Sequence, residues 1–143
     1  MSEEGQVTKA FEEANKAFGD VRTYVNCAGI GDPEFVLNES GTYSTAKFKR
    51  VIDINLFGSF LCTSVAAWHL KKLPLEGKER GLIINTSSIA SKHGLVGQAS
   101  YGASKGGIEG MLLPIARELG PHEIRLMNIS PGVMRTPIFD NYP

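Results

Sequence analysis

Three short apolar runs, Val21 to Asn26, Leu82 to Ile84 and Ile124 to Ile129, constrain this chain most. Each is separated from the next by a stretch whose apolar residues recur at helical spacing. A strand, a crossover helix and a second strand leave the two strands parallel, because a tight hairpin has no room for the helix. Residues 2 to 18 put Val7, Ala10, Phe11, Ala14 and Phe18 on one helical face and stop at Gly19. A second helix begins at Ser44 or Thr45, either of which can cap it. It runs through Phe48, Val51, Leu56, Phe60, Leu61, Val65 and Trp68 to Lys71 and Lys72, with Pro74 beyond. A third spans Ala99 to Leu119, bent by Pro114, and carries Gly102, Gly106 and Gly110 as a stripe without side chains that lets another backbone approach. Asp32 to Tyr43, with Pro33, Asn38 and Gly41, reads as a surface loop. The order helix, strand, helix, strand, helix, strand predicts an α/β layer fold on a parallel sheet. Leu82-Ile83-Ile84, apolar without alternation, reads as a strand covered on both faces.

Length and composition narrow the classes of function. The 143 residues make one ordinary domain. Fifteen basic and 15 acidic side chains give a formal net charge of zero, so no nucleic-acid partner is expected. Asp53, Asn55, Ser59 and Thr63 interrupt the best apolar run, so no membrane partner is expected either. His69, His93 and His122 are scattered, which predicts no metal site. Cys27 and Cys62 lie in apolar segments and read as buried, reduced thiols. The acidic start, Met-Ser-Glu-Glu-Gly, is unlike a leader, so the default location is cytoplasmic; a mitochondrial one would require a transit peptide ahead of Met1.

The chemistry concentrates between Asn85 and Lys105. Thr86, Ser87 and Ser88 stand at the carboxyl end of a strand, where open α/β sheets bind their ligands. Tyr101 and Lys105, at i and i+4 of a helix, project from one face. A phenol titrates near pH 10, too high for a proton relay at neutrality. An ammonium about 4 Å away, at an effective dielectric of about 20, is worth about 4 kcal/mol, enough to move a pKa by about 3. The spacing therefore suits a phenol made acidic by an amine.

Taken together, Asn26-Cys27-Ala28-Gly29, Asn55 within Ile-Asn-Leu-Phe-Gly, Ser88, Tyr101 with Lys105, and Pro131-Gly132-Val133-Met134-Arg135-Thr136 resemble the short-chain dehydrogenases/reductases. The resemblance implies a Rossmann-like, doubly wound parallel sheet, of which this chain holds strands four to six with their helices. It implies hydride transfer between NAD or NADP and a small alcohol or ketone. Tyr101 would be the acid or base, Ser88 would hydrogen-bond the substrate oxygen, Lys105 would hold the nicotinamide ribose, and Asn55 would hold a water that links Lys105 to solvent. Asn26, Ala28, Gly29, Pro131, Gly132 and Thr136, with Tyr101 and Lys105, would line the cofactor cleft. Gly97-Gln-Ala-Ser-Tyr-Gly-Ala-Ser-Lys-Gly-Gly107 and Leu113-Pro-Ile-Ala-Arg117 resemble the family's 3-hydroxyacyl-CoA and hydroxysteroid subgroup, which favours NAD. Arg22 stands where the family usually has Asp and reads as a tolerated surface change. A homo-oligomer through the helices at 45–72 and 99–119 is also implied.

One half of that fold is missing from the sequence. No strand here runs into the glycine-rich turn that admits a pyrophosphate: Gly29-x-Gly31 has Glu34 in the third place, and Gly102-x-x-x-Gly106 lies inside a helix. The expectation is a single partial domain over residues 1–143, lacking the amino-terminal nucleotide half and the carboxyl-terminal helix and strand. It should have an apolar edge at Val21 to Asn26 and a partly bare face around Phe11 and Phe18. The alternative reading is a truncated, catalytically impaired product that works as an interaction module through its two long helices.

Overall fold

The computed structural model describes residues 3–39 and 41–135. In chain order they form α1 (Glu4–Phe18), β1 (Thr23–Asn26), β2 (Leu37–Asn38), β3 (Gly41–Thr42), α2 (Thr45–Val51), a π-helical turn (Ile52–Phe57), α3 (Gly58–Leu70), β4 (Gly81–Thr86), a 3-10 turn (Ile89–Ser91), α4 (Ala99–Leu119), a second 3-10 turn (Gly120–His122) and β5 (Ile124–Ile129). Strands β1, β4 and β5 make a parallel sheet in that order, with Ile83 of the central strand opposite Tyr24 and Leu126. The α/β fold is thus the expected one.

Both crossovers run in the same direction across the sheet, from β1 to β4 to β5. Right-handed crossovers that keep one direction place their helices on one face. That face carries Tyr24, Ile83, Ile124 and Leu126, and Ala66 and Leu70 of α3 and Leu119 of α4 close over it. Each fully buried aliphatic side chain there contributes about 1.5–3 kcal/mol. Helix α1 adds a second layer, with Val7 against Leu61 and Cys62 and the Phe11 ring stacked on Tyr24 at 4.8 Å between centroids. Gly19, at φ +79°, ends α1. Asn15 then ties the helix end to the sheet, accepting from Val21 N at 3.2 Å and donating to Tyr24 Oη at 3.3 Å.

The opposite face differs from the expectation for Leu82 to Ile84. Ile83 is fully buried, but Val25, Met127 and Ile129 are about half exposed, because no described element crosses on that side. The bare surface forecast at α1 is found at Phe18, which is exposed, whereas Phe11 is half-buried.

Thr45–Leu70 is helical throughout, capped by Ser44 Oγ, which accepts from Lys47 N at 3.4 Å. By length and composition it is apolar enough to cross a membrane, contrary to the sequence reading; in the fold its Val51, Leu61, Ala66 and Leu70 are buried. The π-helical turn in its middle carries one extra residue per turn and directs Asn55 fully inward.

Three smaller expectations change. Asp32 to Tyr43 contains a two-residue hairpin, β2 with β3. Its Glu34 accepts from Ser44 N at 3.1 Å and pairs with Lys47 at 3.2 Å. Cys62 is buried as expected but Cys27 is exposed, because it is the first residue past β1 and leaves the sheet. Arg22 is more than a surface change: it donates to Pro74 O and Arg80 O at 3.0 Å each and pairs with Glu76 at 2.9 Å, which holds the turn before β4. The glycine stripe serves packing within the chain. A Cβ on Gly102 would stand 3.2 Å from Ala90 O and one on Gly106 3.7 Å from Ser91 O, while Gly110 faces open space.

Candidate functional site

The carboxyl ends of β1 and β4 are joined by buried amides. Asn26 donates to Asn85 Oδ1 at 2.6 Å, Asn85 donates to Thr63 Oγ1 at 3.1 Å, and Thr63 Oγ1 is 2.8 Å from Ser59 O. Removing a partner from such a fully buried set leaves an amide without a hydrogen bond, at about 1–3 kcal/mol. This ladder is the rigid floor beneath the loops that follow each strand.

Above it, the Lys105 side chain is 3% exposed and its Nζ donates to Thr86 O at 2.7 Å. Burial pulls its pKa down to about 8, and the Cys27 thiol nearby opposes that shift. The Tyr101 ring lies beside it, with Nζ 5.6 Å from the ring centroid. Asn55 reaches in from the π-helical turn. It accepts from Ile30 N at 2.8 Å and donates to Ile30 O at 2.9 Å and to Ser104 Oγ at 3.1 Å. Ser104 Oγ in turn donates to Tyr101 O at 2.8 Å. Gly29 closes the group: a Cβ there would stand 3.4 Å from Asn55 Oδ1 and 3.5 Å from Lys105 Nζ. Its lack of a side chain leaves open the space in front of the amine.

Ser88 caps the 3-10 turn, its Oγ accepting from Ala90 N at 3.1 Å. That bond uses a lone pair and leaves the hydroxyl proton free to donate. Its neighbour Ser87 is structural, donating from Oγ to Lys105 O at 3.0 Å. Pro131 O accepts from Ile89 N at 3.0 Å, and Ser130 donates to Glu109, so the segment after β5 is tied to both the 3-10 turn and α4. Ala28 and Gly132 are exposed. Thr136 lies outside the described residues. Among the described residues no three of His, Cys, Asp and Glu are grouped as for a metal.

The fold therefore brings Gly29, Asn55, Tyr101 and Lys105 together, with Asn26 in the buried ladder of amides and Ser88 on the segment that Lys105 grips through Thr86. Sequence reasoning passed over Thr63, Ser104, Ser100 and Tyr43. The first two complete the buried bonds of Asn85 and Asn55. Ser100, fully buried, lies 2.8 Å from Tyr43 Oη. An asparagine closing the apolar run Leu82-Ile83-Ile84 was the available signal, since a buried amide must find partners.

The open cradle at Gly29 and the ammonium behind it suit a ribose and the ring it carries. Comparison with known proteins gives the family. The family described as short chain dehydrogenase matches residues 1–143. The 3-hydroxyacyl-CoA dehydrogenase type-2 of Homo sapiens is 44% identical over 146 aligned positions, which take in 100% of this chain and 56% of that protein. The (3R)-3-hydroxyacyl-CoA dehydrogenase of Canis lupus familiaris is 40% identical over 144 positions, 100% of this chain and 52% of the other. A 3-hydroxyacyl-CoA dehydrogenase type-2 from Mycobacterium avium superposes with a TM-score of 0.88 at 33% identity, covering 98% of this chain and 56% of that one. A short chain dehydrogenase from Burkholderia cenocepacia in complex with NADP gives 0.81 at 27% identity, covering 99% and 54%. The chain spans about half the length of the relatives it matches. It belongs to the short-chain dehydrogenase family.

Proposed function

We propose that these residues carry the acid–base half of an oxidoreductase acting on the hydroxyl or carbonyl of a 3-hydroxyacyl-CoA, with a hydroxysteroid as the competing substrate. The observation that carries the reading is a buried, hydrogen-bonded Lys105 beside the Tyr101 ring, at the carboxyl ends of parallel strands. Relatives named for 3-hydroxyacyl-CoA support the substrate class. Tyr101 gives a proton to the substrate oxygen in reduction and takes one in oxidation. Ser88, with its hydroxyl proton uncommitted, donates to the same oxygen, orienting it and sharing its developing charge. Lys105 has two N–H groups beyond the one on Thr86 O, and these would hold the ribose of a nicotinamide nucleotide. Asn55 would hold the water that links Lys105 to solvent, while its side chain binds Ile30 and Ser104. When bound, the nicotinamide supplies or accepts the hydride. Asn26, Ala28, Gly29, Pro131 and Gly132 would line its cleft, Thr136 is assigned to it by resemblance to the family, and NAD is proposed over NADP.

The sequence holds no strand that runs into a glycine-rich turn for a pyrophosphate, so nucleotide binding by the 143 residues is expected to be weak. The test is titration with NADH and NADPH, read by energy transfer from Trp68, together with turnover of a 3-hydroxyacyl-CoA and of a hydroxysteroid. Tyr101→Phe should lower turnover by at least about 10²-fold with little loss of nucleotide affinity, and Lys105→Ala should lower both. Equal turnover in Tyr101→Phe and the unaltered chain would sink the mechanism.

A second copy is the proposed partner, through the helices at 45–72 and 99–119. Phe57, Phe60 and Trp68 on one helix and Leu113 on the other are exposed. Between the helices runs a groove of about 290 Å³ lined by Phe60, Thr63, Trp68, Lys71, Ile115 and His122. The same exposure favours the alternative of an interaction module without turnover; self-association with no nucleotide binding would select it. A cytoplasmic location is proposed, with a mitochondrial one as the alternative.

A further inference from the structure

Two hydroxyls outside the site fasten the helix that carries Tyr101. Ser100, immediately before it in α4, is fully buried, and its Oγ lies 2.8 Å from Tyr43 Oη. Tyr43 Oη also donates to Asp32 O, at a longer 3.3 Å. A carbonyl can only accept, so the phenol's proton goes to Asp32 and the serine's proton to the phenol. The result is a one-way relay, Ser100 to Tyr43 to Asp32. It joins the first turn of α4 to the loop leaving β1.

That loop is joined to α4 a second time. Asn55 grips Ile30 by both its amide and its carbonyl and donates to Ser104 Oγ. Residues 30 and 32 of one loop are thus anchored to residues 100 and 104 of one helix, and Tyr101 lies between the two anchors. The hairpin that carries Tyr43 is itself braced. Tyr43 N donates to Val36 O at 3.2 Å, Glu34 N donates to Gly97 O at 3.0 Å, and the Tyr43 ring meets Phe48 edge-on at 6.0 Å between centroids. A phenol held on three sides is a rigid strut, whereas the hydrogen bonds at Ser104 and Lys105 by themselves hold α4 only from its second turn onward and leave its first turn, the end where helices fray, less firmly fixed.

We infer that Tyr43 is a positioning residue for Tyr101: through Ser100 it fixes the amino-terminal turn of α4 against the β1 loop, and so sets where the reactive phenol stands. The inference rests on the hydride-transfer reading for what Tyr101 does, but the strut has a readout of its own. In Tyr43→Phe, amide hydrogen exchange at Gly102 to Lys105 should quicken roughly 3- to 10-fold, the worth of one net hydrogen bond. Exchange at Ile83 to Asn85 in the central strand should stay within twofold. Ser100→Ala should do the same, and the double variant should be no worse than either single one, because both remove the same link. In turnover, kcat should fall by a similar factor with KM unchanged, whereas Tyr101→Phe should lower kcat by at least about 10²-fold. Unchanged exchange at 102–105 in Tyr43→Phe overturns the strut whatever the turnover shows. Additive effects in the double variant overturn it too. Should Tyr101→Phe keep full turnover while exchange responds as described, the strut stands and the catalytic reading falls.

Discussion

At the scale of single residues, Lys105 shows how burial and chemistry are coupled. Its ammonium is almost wholly out of water, and that desolvation is what brings its pKa from 10.5 down to about 8. The unfolded chain keeps the proton up to about 10.5 and the folded chain only to about 8, so between those values the unfolded state binds more protons. Stability from this group is therefore lowest below pH 8 and rises as pH climbs from 8 to 10.5, by about 3 kcal/mol in full. Urea unfolding at points across that window should show this gain, and Lys105→Met should remove it. The same slope in both chains would mean that the amine is not buried as found. A buried amine that costs stability at neutral pH marks Lys105 as a candidate functional group.

At the scale of elements, close approaches decide which glycines matter. Gly81 opens β4 where a Cβ would run into Arg22 O and Leu70 Cδ2, one of them backbone that cannot turn aside. Gly107 would meet only the Leu56 side chain, with Cδ2 at 2.7 Å, and Leu56 is half-buried and can move. Gly81→Ala should cost about 2–3 kcal/mol and Gly107→Ala under about 1 kcal/mol, read as midpoints of urea unfolding at constant slope. Equal losses would contradict the packing described for α3 against β1 and β4. The π-helical turn belongs to this scale as well. In an unbroken α-helix, the direction of Asn55 would follow the 3.6-residue period of the apolar residues around it; the extra residue frees it to point at Ile30 and Ser104.

At the scale of the whole molecule, the described elements cover the sheet on one side. Val25, Met127 and Ile129 form an apolar surface on the other, and Phe60 and Trp68 form a second on the helices. A chain with two such surfaces should self-associate, and the two can be separated by charge. In sedimentation, Phe60→Lys should weaken association if the helices carry it, as proposed above. Val25→Lys with Met127→Lys should leave that association intact while reducing dye binding to exposed apolar surface. If only the sheet-face pair dissociates the complex, the helices are not the interface.

The alternation of periods determined the element order and the parallel sheet, and the Asn26, Asn55, Tyr101 and Lys105 motifs carried the resemblance to the family, because spacing and motifs alike are local facts of the chain. The limits of α4 and β5 were legible to the residue for the same reason. Tertiary structure alone decided which sheet face is covered, since that follows from the direction of two crossovers and not from any one strand. It also turned Cys27 outward, bound Arg22 to the turn before β4, and brought Tyr43 to Ser100 across 57 positions of sequence. Hydrogen bonds between side chains so far apart leave no periodic trace. They exist only once the packed sheet has set the distances.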